Sequence, residues 1–188
     1  MRIISGRFKG KKIFRPTDLN TRPLRDMVKE SIFNLIQHSN KINFEIDNAD
    51  VLDLFSGSGS FGLECFSRGC KNVMFVENYS KILDILKKNI NSLKLERNSQ
   101  IIENDCFEII NKNIFLKSEF DLIFIDPPYK ETKLDQLLNR IVENKVLKNN
   151  GLIIIHRHKK DDQKLTKKLK ILDQRIYGVS KIILGTNV

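Results

Sequence analysis

Five short apolar runs, Ala49–Phe55, Asn72–Glu77, Gln100–Glu103, Phe120–Asp126 and Gly151–His156, recur along the chain with helix-spaced apolar patterns between them. Runs this short, bounded by polar residues or glycine, read as strands. Strands alternating with helices have few folded solutions: parallel neighbours need a crossover, the crossover is a helix, and helices then cover both faces of the sheet. After Ser80, expected to cap its helix, Ile82, Ile85, Leu86, Ile90 and Leu93 share one face. Leu134, Leu137, Leu138, Ile141 and Val142 share another. The pattern changes at both ends. Residues 1–15 read as a β-hairpin turning through "SGRFKG", followed by a helix over roughly Arg22–Gln37 with Val28, Ile32, Leu35 and Ile36 inward. At the other end, strands over about Lys170–Ile176 and Val179–Leu184 meet at Tyr177-Gly178. So tight a turn forces at least one of them to run antiparallel. The expectation is an α/β fold in a single domain spanning residues 1–188, with 1–21 a basic hairpin extension and 22–188 the core.

The fourth run ends in Asp126-Pro127-Pro128-Tyr129. Proline cannot donate to a sheet ladder, so the strand stops at Asp126 and leaves an acid, free carbonyls and a ring held stiffly at its edge. The first run leads into Gly57, Gly59 and Gly62, spelling GxGxxG, and Glu77 closes the second. A glycine turn lets backbone approach a ligand closely, and a strand-end acid pairs a ribose hydroxyl. The spacing fits a dinucleotide, and it also fits a nucleoside cofactor without a pyrophosphate. Asp53, in the approach to the loop, opposes a pyrophosphate and attracts an ammonium, which favours S-adenosylmethionine over NAD. In an open parallel sheet, ligands bind outside the carboxyl ends of the strands where the strand order reverses. The glycine loop and the proline edge are therefore expected to be neighbours.

Charge bears on the partner. The chain is 40% hydrophobic and 30% charged, which reads as globular, with a formal net charge of +10. Arg2, Arg7, Lys9, Lys11, Lys12, Arg15, Arg22, Arg25 and Lys29 crowd the first 30 residues, and Arg157, Lys159, Lys160, Lys164, Lys167, Lys168 and Lys170 form a second cluster. Basic segments point to a polyanion, although lysine is abundant throughout and the second cluster equally reflects composition. Phe8 lies among the hairpin cations as a stacking platform for a base. Arg22 and Arg25 reach either phosphate or a cofactor carboxylate. No apolar run approaches the ~20 residues of a membrane span. "MRIISGRFKGKK" lacks the apolar stretch of a signal peptide, so cytoplasmic residence is expected. Cys65, Cys70 and Cys106 form no CxxC pair and the histidines are scattered, so no metal site is expected.

"DLFSGSGSFG" together with "DPPY" resembles the S-adenosylmethionine-dependent amino-methyltransferases, whose signature is Asp/Asn/Ser-Pro-Pro-Tyr/Phe/Trp. More narrowly, "RIISGRFKGKKI", "TRPLRDMVKESIFN", "VLDLFSGSGSFGLECFSRG" and "YGVSKIILG" resemble, in order and nearly end to end, the bacterial 16S rRNA guanine-N2 methyltransferase family. The resemblance implies a Rossmann-like class I methyltransferase fold: a mostly parallel seven-stranded sheet with one antiparallel strand, plus the N-terminal hairpin and helix. It implies S-adenosyl-L-methionine as cofactor. Asp53, Phe55, Gly57 and Gly59 then line its methionine and ribose side, Glu77 holds both ribose hydroxyls with Asn78 beside it, and Asp105 and Cys106 meet the adenine. Asp105 also reads as an N-cap for residues 106–110. Arg7, Phe8, Lys9, Lys11 and Lys12, with Arg22 and Arg25, become an RNA-binding set. The implied partner is 16S rRNA in an assembled or assembling small ribosomal subunit, met by a monomer. Three positions depart from the family's usual pattern: Leu24 in place of threonine, Lys29 in place of arginine, and His156 where the fifth strand commonly ends in an acid.

The chemistry accounts for these residue types. An exocyclic amine on guanine is a poor nucleophile because its lone pair is delocalised into the ring. Acceptors on its two hydrogens, the Asp126 carboxylate and the Pro127 carbonyl, favour a localised pair, and the prolines fix the carbonyl beforehand. Tyr129 offers a ring for stacking, worth about 1–3 kcal/mol per base. The same geometry suits adenine N6 in DNA. An RNA-binding assembly factor with a vestigial cofactor fold is the non-enzymatic alternative. An NAD-dependent oxidoreductase lacks an evident hydride-transfer acid or base.

Overall fold

The computed structural model describes residues 1–16, 24–111 and 119–188. In chain order the elements are α1 (Asp26–His38), β1 (Asp50–Leu54), α2 (Ser60–Ser67), β2 (Asn72–Glu77), α3 (Ser80–Ser92), a 3₁₀ turn (Glu96–Asn98), β3 (Ser99–Glu103), α4 (Cys106–Asn111), β4 (Phe120–Ile125), α5 (Leu134–Glu143), β5 (Leu147–His158), β6 (Leu169–Tyr177) and β7 (Ser180–Asn187). Arg22, the expected start of the first helix, lies outside the described residues, and the described helix begins at Asp26. Ser80 opens α3 but makes no side-chain cap; Tyr79 holds the cap position, and its amide is bound by the Glu77 carboxylate instead.

The sheet has the order β3-β2-β1-β4-β5-β7-β6. From β3 to β5 every pairing is parallel, and β7 runs antiparallel to both β5 and β6. The seven-stranded, mostly parallel fold expected from the sequence is the one observed. Strand order reverses between β1 and β4, and Leu54 pairs with Ile125 at their carboxyl ends. The loops after these two strands therefore leave the sheet side by side. β5 is longer than its apolar run indicates, because Arg157 and His158 continue the ladder opposite Lys181 and Ser180.

Alternation along the strands feeds two cores. Val51, Leu122, Phe124, Leu152, Ile154, Ile182 and Leu184 join the layer of α1, α2 and α3. Leu52, Leu54, Ile123, Ile125, Ile153, Ile155 and Ile183 join that of α4 and α5. A side-chain period of two requires this of a sheet covered on both faces. In the first layer the Phe61 ring stacks on Phe124 at 3.8 Å and on Phe33 at 5.2 Å, tying α1 through α2 to β4.

Every residue of α2 is buried, because the N-terminal arm crosses its outer side. The arm is a short antiparallel bracket. Its described pairing is one bridge, Arg2 opposite Lys12, with Ile3 N donating to Lys11 O at 3.0 Å and Ile13 N to Met1 O at 3.2 Å. It is pinned to α2 by polar contacts: Ile4 N and Ser5 N donate to the Glu64 carboxylate at 2.8 and 2.9 Å, and Arg7 N donates to Ser67 O at 2.8 Å. Gly6 permits this approach, since a Cβ there would fall 1.7 Å from the Ser67 carbonyl oxygen.

On the inner side, Gly62 lets α2 lie against β2. A Cβ at Gly62 would meet Phe75 Cε1 at 2.4 Å and Val73 Cγ1 at 2.8 Å. Gly62→Ala is expected to destabilise the fold by about 1–3 kcal/mol through overpacking, despite alanine's better helix propensity. The midpoint of urea unfolding measures it, and an unchanged or raised midpoint contradicts the packing argument.

Candidate active site

The five parallel strands put their carboxyl ends on one edge, and there the structure gathers the candidates from separate parts of the chain. Each loop is set by local chemistry. After β1 the chain turns sharply: Phe55, Gly57 and Gly59 all have positive φ, at 60°, 55° and 79°. For Phe55, held at that φ and edge-on to the Phe107 ring at 6.1 Å, this is a strained backbone of the kind found at ligand sites. Ser56 Oγ bonds back to Asp53 O, and Ser56 N donates to Val76 O at 3.0 Å, tying the turn to β2.

Glu77, ending β2, receives three backbone amides: Gly57 N on Oε2 at 2.7 Å, and Asn78 N and Tyr79 N on Oε1, both at 2.9 Å. The carboxylate thus staples the glycine loop to β2 and keeps one acceptor direction on Oε2. Asp105, after β3, caps α4 as expected, with Oδ1 receiving Phe107 N at 2.8 Å, and Asn78 Nδ2 donates to its Oδ2 at 3.1 Å. Asn78, Asp105 and Cys106 therefore stand together. Cys106 is 2% exposed, and burial pushes its thiol well up. Burial also drives the Cys70 thiol up to about 12, so neither is a thiolate at neutral pH.

Asp53 lies deeper than the sequence reading placed it. It is 1% exposed, and its Oδ2 receives Gly62 N at 3.0 Å, fastening the first turn of α2 over β1. Burial pushes its carboxyl well above the usual range, and the nearby charges of Asp126 and Glu77 add to this. It sits beneath the loop rather than on its rim. Among the described residues no three His, Cys, Asp or Glu groups gather as a metal site, and no helix is long and apolar enough to cross a membrane.

Across the strand reversal stands the proline edge. Asp126 N donates to Leu54 O at 3.4 Å, joining the two loops through backbone. Asp126 is partly exposed, Pro127 is buried, and Tyr129 is half-buried with its ring edge-on to His158 at 5.2 Å and His156 at 6.1 Å. Three residues ending β5 support this loop, and the sequence reading had given none of them that task. His156 Nδ1 lies 2.8 Å from Asp126 Oδ1. Arg157, 2% exposed, donates to Pro128 O at 2.9 Å, Tyr129 O at 3.3 Å and Glu131 O at 2.9 Å, and is paired with Asp161. Arg157 therefore leaves the second basic cluster, whose lysines at 159, 160, 164, 167, 168 and 170 are exposed.

The other two departures from the family pattern also find places. Leu24 is a core residue at 6% exposure. Lys29 is fully buried, 3.5 Å from Glu64 and donating to Arg2 O at 2.9 Å and Ser60 Oγ at 3.2 Å, so it holds the arm on α2 and belongs to no basic surface.

The expected nucleic-acid residues are not brought to this edge. Arg7, Lys9, Lys11 and Lys12 are exposed, but the arm's turn meets Ser67 at the end of α2 that points away from the glycine loop. Phe8 is half-buried against the first core, with the Arg7 guanidinium 4.7 Å and the Lys11 ammonium 5.9 Å from its ring centre, so it stacks on its own cations. Phe14, 57% exposed, is the aromatic the arm presents to solvent. Arg25 is exposed at the cap of α1, and Arg22 lies outside the described residues.

Comparison with known proteins adds to this geometry. The model of the family described as Conserved hypothetical protein 95 matches residues 1–186. The chain is 39% identical over 154 residues to a Bacillus subtilis protein named putative rRNA methyltransferase YlbH, covering 82% of this chain and 80% of the relative. It is 31% identical over 194 residues to ribosomal RNA small subunit methyltransferase D of Haemophilus influenzae, covering 100% and 94%. The solved structure of the putative methyltransferase yhhF from Escherichia coli superposes with a TM-score of 0.79 at 25% identity, covering 100% and 97%.

Proposed function

This chain belongs to the ribosomal RNA small subunit methyltransferase D family, and on that premise we propose that it methylates the exocyclic N2 amine of a guanine in 16S ribosomal RNA, using S-adenosylmethionine. The observation that carries the reading is the pairing of Leu54 with Ile125, which stands the glycine loop against Asp126. The rim fits this cofactor. Residues 53–62 contain no lysine or arginine to neutralise a pyrophosphate, while Glu77, Asp105 and Asp126 give the edge a negative field that suits a cation.

Glu77 Oε2 retains an acceptor for a ribose hydroxyl, Asp105 and Asn78 offer polar groups to an adenine edge, and Phe55 and Phe107 offer apolar surface. When bound, S-adenosylmethionine supplies a methyl made electrophilic by its sulfonium. Asp126 and the Pro127 carbonyl accept the two amine hydrogens and localise the nitrogen lone pair. That nitrogen would take the methyl with the C–S bonding pair left on the donor's sulfur, and Asp126 would receive the nitrogen's surplus proton. Tyr129, braced by two histidine rings, gives the base a stacking surface. A base reaching this edge must leave its stack, which favours an unpaired guanine. The exposed arm cations supply phosphate contacts and salt sensitivity. The partner is the assembled or assembling small subunit, met by a monomer.

The test is transfer of labelled methyl into small subunits from cells lacking this gene, into naked 16S rRNA, and into duplex DNA. Digestion of the labelled subunits is expected to yield N2-methylguanosine. Label recovered as N6-methyladenine, or in DNA alone, overturns the proposal.

A further inference from the structure

Asp126 is the exposed end of a chain of three side chains. His156 Nδ1 lies 2.8 Å from its Oδ1, and His156 Nε2 lies 2.8 Å from Ser180 Oγ. The link is built by strand alternation: Asp126, His156 and Ser180 continue the rows of Phe124, Ile154 and Ile182, which all face the first core. His156 is 6% exposed and Ser180 4%, whereas the Asp126 side chain is 20% exposed. These are the residue types of a hydrolase triad, but the serine is the buried end and the acid the exposed one, so nucleophilic attack by Ser180 is excluded.

The hydrogen placement follows from chemistry. An ionised Asp126 only accepts, so Nδ1 carries the imidazole hydrogen and Nε2 accepts from the Ser180 hydroxyl. The acceptor-only carboxylate of Asp126 thereby selects the tautomer, and the Ser180 hydroxyl, able to donate, satisfies the Nε2 that this tautomer leaves bare. The backbone around Asp126 is already fixed: its amide bonds Leu54 O, two prolines follow, and Arg157 holds the carbonyls of Pro128, Tyr129 and Glu131. What remains free is rotation of the Asp126 side chain, and the Nδ1 contact removes it.

The geometry points to His156 as a positioning residue for methyl transfer, one that commits Asp126 Oδ1 and so aims Oδ2 at the target amine. This rests on the function proposed above. In the transfer step Oδ2, the oxygen turned toward the amine, takes the nitrogen's proton while Oδ1 stays on Nδ1–H.

His156→Leu is expected to lower kcat about 30-fold, since a carboxylate displaced by an ångström forfeits much of its orientation. Donor affinity by calorimetry should stay within about threefold, because His156 contacts none of the donor loops, and KM for RNA should rise by no more than about threefold, because the nearer His158 ring still braces Tyr129. His156→Asn places an amide N–H near the Nδ1 position and should recover most of kcat. His156→Gln, which reaches toward Ser180 instead, should not. Ser180→Ala should cost about fivefold by leaving the buried Nε2 without a partner and loosening the ring. Independently of activity, ¹⁵N NMR of the imidazole should show hydrogen on Nδ1 and acceptor character on Nε2. Wild-type kcat in His156→Leu, an Asn variant as slow as the Leu variant, or hydrogen on Nε2 overturns the positioning role. A wild-type enzyme that binds donor but methylates no RNA overturns the function and this role with it.

Discussion

Asp126→Ala is expected to abolish detectable turnover, a fall of about 10³-fold, while leaving donor affinity within about twofold. Both parts follow from where Asp126 sits. On the proposed function its Oδ2 is an acceptor at the rim on the β4 side, so its loss leaves the amine lone pair delocalised and its proton without a receiver. Removing one preorganised group that meets developing charge typically costs 10²–10³-fold, and here the group also accepts the proton. The proposed donor contacts belong to other loops: Glu77 is bound by the amides of Gly57, Asn78 and Tyr79, and Asp105 by Phe107 N and Asn78, none of which touches Asp126. Single-turnover methyl transfer and calorimetry with S-adenosylhomocysteine separate the two effects. Turnover above a tenth of wild type would refute the role of the carboxylate.

The largest effect on stability is expected from Glu64→Ala, about 3–5 kcal/mol out of a typical total of 5–15. Glu64 and Lys29 are both 0% exposed. The carboxylate also receives the arm amides of Ile4 and Ser5 and Arg68 Nε at 3.0 Å. Its removal leaves a buried ammonium with Asp26, 4.0 Å away, as the carboxylate still near it besides its bonds to Arg2 O and Ser60 Oγ, and frees two amides that hold the arm.

Burial already lowers the Lys29 ammonium below its ordinary 10.5, with Glu64 and Asp26 opposing the shift, so losing Glu64 lowers it further. The unfolded chain then binds a proton that the folded chain has shed, over the window from the folded value up to 10.5. Stability therefore rises with pH across that window, and the Glu64→Ala deficit is greatest below it. Replacing the pair together, as Lys29→Met with Glu64→Leu, should recover most of the loss, because apolar packing substitutes well for a buried ion pair. Urea titrations of both variants at several pH values measure this, and equal deficits in the two would contradict the ionic argument.

The parts of the fold legible in sequence were those that rest on local pattern. Short apolar runs, the Tyr177-Gly178 turn and the glycine and proline edges each report a backbone constraint within a few residues, and each appears in the structure near its expected bounds. Function-bearing contacts between distant residues were less legible. A charged residue in a single sequence reads as surface, so Lys29 and Arg157 were assigned to basic clusters that the fold withholds from them. Their burial comes from contacts with Glu64, Asp161 and the loop carbonyls, each set by tertiary placement. The sequence did carry one usable signal. Strand alternation extended past Ile154 places His156 on the face of Phe124, and hence of Asp126. The burial of Asp53 was hidden for a related reason: its strand position was read correctly, but the depth of α2 over it depends on Gly62 lying against Phe75.

The arm's turn meets Ser67, at the far end of an eight-residue helix whose beginning borders the pocket. That separates the cations of the turn from the reacting edge by about 12 Å of helix. The molecule thereby acts as a gauge. An oligonucleotide short enough to occupy only the pocket leaves those charges ungrounded, whereas a broad, prefolded RNA body can touch both ends at once. On the proposed function, selectivity would then reside in the breadth of the substrate, and trimming the RNA around the target base is expected to weaken binding even when every nearby base is kept.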